Sequence, residues 1–184
     1  IGEYWWLAIE DIVTHHHNSI VIENVERMTR DEWRELLTYA ERYGIKLVAL
    51  AQNDIEMVRQ WRNDPKIADL MLDKTHITRE KQQQWFARLQ HAQDQFYYLV
   101  WFKDQPIGVA SLIKVNRDAG HGEPGMYIYV DEYRNNIVPF CVAFALNDLA
   151  FEGLGLSQLF GKIFASNQAS VRFHEACGYR LYET

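Results

Sequence analysis

The stretch Asn167-Gln-Ala-Ser-Val-Arg-Phe-His-Glu-Ala-Cys-Gly-Tyr-Arg-Leu-Tyr-Glu-Thr184 carries the reading that decides the fold. Residues 168 to 177 predict an amphipathic helix, Gly178 supplies the stop, and residues 179 to 183 predict a strand. A strand leaves a row of N–H and C=O groups that need a neighbour. The best neighbour lies at the other end of the sequence: Ile1-Gly-Glu-Tyr-Trp-Trp-Leu-Ala-Ile9 reads as the second arm of one hairpin with residues 178 to 184.

Outward from this point, residues 158 to 165 read as a strand, 139 to 152 as a helix ended by Gly153, and 124 to 130 as a further strand. Residues 95 to 102 and 106 to 115 form a meander around the short polar turn Lys103-Asp104-Gln105. Earlier still, Thr78 caps a helix over 77 to 90, a loop spans Pro65 to His76, and Asn53 with Glu56 predicts a capping box for a helix ending near Asn63. Lys46 to Ala51 reads as a strand. Before it, Thr29 and Glu32 open a helix whose Trp33, Leu36, Leu37 and Ala40 share a face and which Gly44 stops. Ile20-Val21-Ile22 is too short to classify, and residues 3 to 10 read as a strand covered on both faces. Strands in a meander, then alternating with helices, describe an α+β domain with helices on both faces of one sheet.

A chain of 184 residues is long enough for one domain with a full core. Its composition, 48% hydrophobic and 14% aromatic, contains no apolar run near the roughly 18 residues of a membrane span. No basic segment followed by an apolar core opens the sequence, which predicts no secretory signal. A net charge of −6 argues against a nucleic-acid backbone as partner, since phosphates require clustered Lys and Arg. Cys141 and Cys177 lack the spacing of a disulfide framework or metal site and predict buried thiols in a reducing compartment, hence the cytoplasm. His15-His16-His17 are adjacent, not two to four apart, which favours a solvated loop over a ligand cluster. No metal is expected.

The pattern Asn167-x-x-Ser170-x-x-x-His174-x-x-x-Gly178-Tyr179 resembles the closing signature of the GNAT superfamily of acyl-CoA-dependent N-acyltransferases, Asn-x-x-Ala-x-x-x-Tyr-x-x-x-Gly-Phe. The likeness runs from about Lys46 to Thr184 and then through Glu3 to Glu10. It implies a mixed, mostly antiparallel sheet whose final strand comes from the N-terminal segment. A circular permutation, the tail of a preceding domain, and strand exchange in a homodimer each account for that order. The parent chain of a permutation would begin near Met28.

Within the superfamily the sequence is similar to the sugar-nucleotide 4-amino N-acetyltransferases of the pseudaminic acid pathway, on Met57-Val-Arg-Gln-Trp-Arg-Asn63, Glu123-Pro-Gly-Met-Tyr127 and Phe151-Glu152. The resemblance implies acetyl-CoA as cosubstrate and a small-molecule amine as acceptor. By position, Glu123 is the candidate general base, and His174 replaces the tyrosine that protonates the departing thiolate. Asn167 and Phe173 would meet the pantetheine arm, and a backbone N–H near Tyr129 or Val130 would polarise the thioester carbonyl. Trp61, Arg62, Asn63, His76 and Tyr127 would shape the acceptor pocket, an arginine beside an aromatic being suited to a nucleotide diphosphate.

The family's coenzyme loop, Arg/Gln-x-x-Gly-x-Gly/Ala, is matched here by Arg134-Asn135-Asn136-Ile137-Val138-Pro139. Both glycine positions are filled, and proline brings no N–H. Arg134 offers a direct phosphate ligand in partial compensation. Three functions follow: acetylation of an amino-sugar nucleotide, acetylation of a protein N-terminus or polyamine, or a non-catalytic binding module with a degenerate coenzyme loop. A basic groove around Arg59, Arg62 and Lys66 would favour the nucleotide, an acidic one the polyamine.

Overall fold

The computed structural model describes residues 20–24 and 44–182. The strand read over residues 3 to 10, the His15-His16-His17 run and the helix capped by Thr29 lie outside the described residues.

Seven strands of the described residues form one sheet: β1 (Ile20–Asn24), β2 (Ile45–Ala49), β3 (Phe96–Phe102), β4 (Gln105–Asn116), β5 (His121–Ile128), β6 (Gln158–Ile163) and β7 (Tyr179–Tyr182). Their order is β2-β3-β4-β5-β6-β1-β7. The unclassified triplet at 20–22 is therefore the start of a strand that is antiparallel to both neighbours, pairing Ile20 with Ile163 on one side and Val21 with Tyr182 on the other. An N-terminal segment does fill the slot beside β7, but it is Ile20–Asn24, within what the sequence reading treated as a connection.

Among the described residues five α-helices accompany the sheet: α1 (Ile55–Asn63), the short α2 (Pro65–Ala68), α3 (Arg79–Leu89), α4 (Val138–Asp148), which runs on into a wide π turn at Leu149–Gly153, and α5 (Gln168–Ala176). Strand alternation sends successive side chains to opposite faces. Val100, Ala110, Leu112 and Ile128 meet Cys141, Val142 and Leu146 of α4, with Cys177 and Tyr179 beside them. On the other face Leu99 and Val109 meet Ile55, Val58 and Trp61 of α1 and Phe86 of α3.

Two local readings change. The helix α1 is capped by Asp54, not Asn53, and no capping box closes. Glu56 instead takes a bidentate pair of bonds from Arg59, at 2.9 and 2.8 Å, which holds its carboxyl down to about 2. The expected loop from Pro65 is interrupted at once by α2, whose first turn accepts Pro65 because an N–H there would have no partner. Thr78 caps α3 as expected, its hydroxyl accepting the Lys81 N–H at 3.2 Å.

Candidate active site

The sheet opens at its one parallel junction. β5 and β6 pair only at His121 with Gln158 and Gly122 with Leu159, and beyond those residues the strands part. Nothing in β6 bonds the rest of β5, so the edge from Pro124 to Ile128 faces a gap. Tyr129 and Val130 donate their N–H groups at 2.7 and 3.2 Å to the same acceptor, the Ile107 carbonyl of β4. Neither is free to polarise a thioester, which corrects the expectation for these two residues. The alternation of an antiparallel ladder then turns the Met126 and Ile128 amides toward the gap. The Ile128 carbonyl, which accepts from Arg134 Nε at 2.9 Å, points away from β4 as this requires.

Glu123 lies on the α1 and α3 side of β5, across from Ile113. Its carboxylate is 2.5 Å from the ammonium of Lys114 and lines a recess of about 250 Å³ with His121, Phe160 and Lys162. Lys114 follows a break in the β4–β5 register and has φ 51°, a left-handed conformation that a lysine adopts only under constraint. On the same face the Tyr127 hydroxyl is enclosed and has no partner among the described residues, and burial pushes its pKa up. Tyr97 is raised too, first by burial and then by the charge of Glu123. Arg62 is electrostatically coupled to both phenols, although burial works against its charge.

The Trp61-Arg62-Asn63 triplet does other work than expected. Trp61 is core, 8% exposed, and stacks on Tyr129 with centroids 4.9 Å apart. Asn63 exchanges two hydrogen bonds with the backbone of Ile77, each 2.8 Å long, and Arg62 donates to the Asp73 carbonyl. Arg59 donates to the Ile77 carbonyl at 3.1 Å. Three side chains of α1 thus fasten the loop that leads into α3. His76 is exposed beside this clip and, among the described residues, makes no hydrogen bond or ion pair with the site residues. The Tyr129 hydroxyl donates to Asp64 at 3.0 Å, and Lys66 sits 3.8 Å from the Tyr129 ring centroid and 3.4 Å from Asp131.

The coenzyme loop is closed by its own side chains. Asn136 donates to the Glu132 carbonyl at 3.1 Å and accepts the Val138 N–H at 2.9 Å. Pro139 has no N–H, and the Cys141 amide bonds the Ile137 carbonyl at 3.1 Å. The first turn of α4 therefore keeps at most the Phe140 amide for a ligand. Arg134, expected as a phosphate ligand, is turned inward to Ile128 and lies 3.2 Å from Asp131. Asn135 and Ile137 are exposed, Ile137 with 48% of its surface free.

At the start of α5, Asn167 caps the helix by accepting the Ser170 N–H at 3.1 Å, which leaves its amide NH₂ for other partners. Together with Phe164 and Ser166 it lines a cavity of about 350 Å³ that Asp69 and Leu70 close from the far side. His174 holds Nδ1 2.7 Å from the Ser170 carbonyl, and only an N–H can be favourable there. The ring packs edge-on against Phe173 and Tyr179, and burial lowers its pKa, with the Ser170 carbonyl opposing. Phe173 also packs on Phe140, at 4.9 Å between centroids.

Sequence reasoning missed Lys114, Tyr97 and Asp64. Their roles arise from cross-strand register, a bulge and a side-chain contact between distant segments, none of which leaves a local pattern.

Residues 45–180 match the family described as acetyltransferase (GNAT) domain. Acetyltransferase PseH of Campylobacter jejuni is 22% identical over 138 residues, covering 73% of this chain and 82% of that protein. Among solved structures, spermidine N-acetyltransferase from Vibrio cholerae in complex with CoA and spermine superposes with a TM-score of 0.68 at 19% identity, covering 73% of this chain and 80% of that one. Campylobacter jejuni PseH in complex with acetyl coenzyme A superposes with a TM-score of 0.59 at 21% identity, covering 76% and 91%. Among the described residues, no helix is long and apolar enough to cross a membrane and no His, Cys, Asp or Glu cluster suits a metal.

Proposed function

The chain belongs to the GNAT acetyltransferase family, and on that premise we propose that it moves an acetyl group from acetyl-CoA to a primary amine, with an amino-sugar nucleotide as acceptor. The observation that carries this reading is the parting of β5 and β6 beyond Gly122 and Leu159, which opens a slot beside Glu123 and exposes strand-edge amides to a ligand. An acyl-pantetheine fits such a slot, because its amides can pair with a free strand edge and with the Asn167 side chain. The diphosphate of the coenzyme fits poorly, given the closed first turn of α4.

The donor brings an electrophilic thioester carbon and a thiol leaving group. The chain's task is to present a neutral amine, stabilise the oxyanion and let a proton reach sulfur. Glu123 takes the ammonium proton, directly or through one water, while Lys114 fixes the carboxylate in place. The Met126 and Ile128 amides are the oxyanion donors. His174, desolvated and with Nδ1 engaged, is a poor proton donor, so the sulfur proton originates from the attacking amine.

The order of strands supports a permuted chain: β1 stands where, in the resembled family, the strand that follows β7 stands. The free thiols Cys141 and Cys177, both buried, fit the cytoplasm. A polyamine acceptor is the second reading, favoured by one observation: Arg59 is engaged by Glu56 and Lys66 by Asp131, so the expected basic groove is largely neutralised.

Thiol release from acetyl-CoA, followed with spermidine and with a UDP-linked 4-amino sugar, tests both readings. Turnover at least tenfold faster with the sugar nucleotide upholds the first, and the reverse order upholds the second. No release with any amine overturns acetyl transfer.

A further inference from the structure

Helix N-termini bind anions because their first amides lack intrahelical partners. The α4 terminus has lost most of this property by two independent means. Asn136 occupies the Val138 amide and Pro139 brings no N–H, so the first turn keeps only the Phe140 amide, the Cys141 amide being the helix's own first bond to Ile137. Asn136 is itself anchored to Glu132, so the cap is held from both sides. The side chain of Ile137 stands exposed over the same turn. Arg134 is directed inward to the Ile128 carbonyl, and both it and Lys66 are already engaged by the exposed Asp131 carboxylate. A doubly charged diphosphate placed here would meet an exposed isoleucine side chain and few free donors.

The opposite end of the donor keeps its partners. Among the described residues the β5 edge has no strand partner beyond Gly122, and Asn167 retains an unengaged amide group in the cavity that it lines with Ser166. Recognition is therefore lopsided along the length of the donor.

Resting on the acetyl-transfer reading above, we infer that this chain recognises its donor as an acyl-phosphopantetheine thioester, with the coenzyme's diphosphate and adenosine contributing little. A phosphopantetheine arm esterified to a carrier-protein serine carries one phosphodiester charge and no diphosphate, so it presents the same chemistry as the free coenzyme without the misfit. The reaction is unchanged between the two sources. The C–S bond of the thioester breaks, a C–N bond forms, and the proton lost by the amine ends on the thiol.

Calorimetry on the full chain tests the inference, with coenzyme A, 4′-phosphopantetheine and adenosine 3′,5′-bisphosphate as probes. Dissociation constants for the first two within threefold, and no binding of the third at millimolar concentration, are expected. Coenzyme A binding thirtyfold or more tighter than phosphopantetheine overturns the inference while leaving acetyl transfer intact. Failure of both thiols to bind overturns acetyl transfer and the inference together.

Restoring amides provides a second arm. Asn136→Ala and Pro139→Gly, each checked by thermal melting, should tighten coenzyme A about tenfold and leave phosphopantetheine unmoved. Equal affinity before and after, in folded variants, overturns the inference. The source is then read from donors: turnover of an acetylated carrier protein as fast as acetyl-CoA, or faster, points to a carrier. Turnover of acetyl-CoA and acetyl-phosphopantetheine at similar rates, with no carrier activity, points to the free coenzyme. Both uphold recognition by the arm.

Discussion

Lys114 holds its ammonium 2.5 Å from the Glu123 carboxylate, and it does so from a left-handed backbone with φ 51°. The strain and the ion pair belong to one device, because the break in register that twists Lys114 also carries its side chain across to β5. If Glu123 is the base, Glu123→Gln should lower kcat/KM by about 10²- to 10⁴-fold. Thermal melting should show little change, since Lys114 is mostly exposed and such pairs contribute about 0–1 kcal/mol. Initial rates of thiol release measure the first effect; a fall below tenfold would remove Glu123 from the chemistry.

His174 makes an opposite case. With Nδ1 tied to Ser170 and the ring enclosed by Phe173 and Tyr179, His174→Phe should retain activity within about fivefold, against the roughly 10²-fold loss of a general acid. Burial depresses its pKa, so the unfolded chain binds the proton more readily than the folded one. Its contribution to stability is therefore full above the ordinary histidine value near 6.5 and is lost as pH falls from there toward the folded value. Urea midpoints of wild type and His174→Phe between pH 5 and 8 should converge at the acid end.

Asn63 exchanges two 2.8 Å bonds with Ile77 and is the centre of the clip that sets the loop before α3. Asn63→Ala should cost about 1–3 kcal/mol, because the Ile77 amide and carbonyl lose their partner. It should also raise the acceptor KM more than it lowers kcat. Steady-state kinetics with saturating donor separate the two parameters, and a pure kcat effect would contradict a positioning role.

Glu56 is held down to about 2, chiefly by its hydrogen bonds from Arg59. A carboxylate depressed in the folded state stabilises above its unfolded value and loses that contribution as pH falls from about 4.5 toward 2. Glu56→Gln should lower stability at neutral pH, where the contribution is complete, and flatten the acid limb over that window, so that variant and wild type converge near pH 2. Acid titrations followed by tryptophan fluorescence would report the difference.

Gly108 of β4 lies opposite Ile128 of the neighbouring β5. A Cβ there would stand 2.2 Å from the Tyr127 carbonyl oxygen and 3.0 Å from Ile128 Cα, both backbone atoms that cannot swing aside. Gly108→Ala should destabilise by about 1–3 kcal/mol and disturb the strand that carries the Met126 and Ile128 amides. Denaturant unfolding and the rate of acetyl transfer should fall together.

Much of the architecture was legible because it rests on local chemistry. Thr78 caps α3 and Gly178 ends α5 with φ +86°. The strands β3 to β7 fall within a few residues of their expected places. Ile20–Asn24 was not legible: five residues give no usable period, and their partners at 159–163 and 179–182 are remote in sequence. The site divided in the same way. Glu123 stands on β5 and Asn167 at the N-cap of α5, positions that local pattern predicts, whereas the engagement of Tyr129, Val130, Arg134 and Asn63 depends on which carbonyl lies opposite. That is a property of the assembled sheet.

The seat of β1 between β6 and β7 sets the timetable of assembly. This strand is synthesised long before either neighbour, and each of its ladders closes a loop of more than a hundred residues, from Asn24 to Leu159 and from Asn24 to Tyr179. The half of the sheet that carries the slot cannot be completed while the ribosome still holds α5 and β7. Until then β1 is an unsatisfied edge, open to the same strand from another nascent chain.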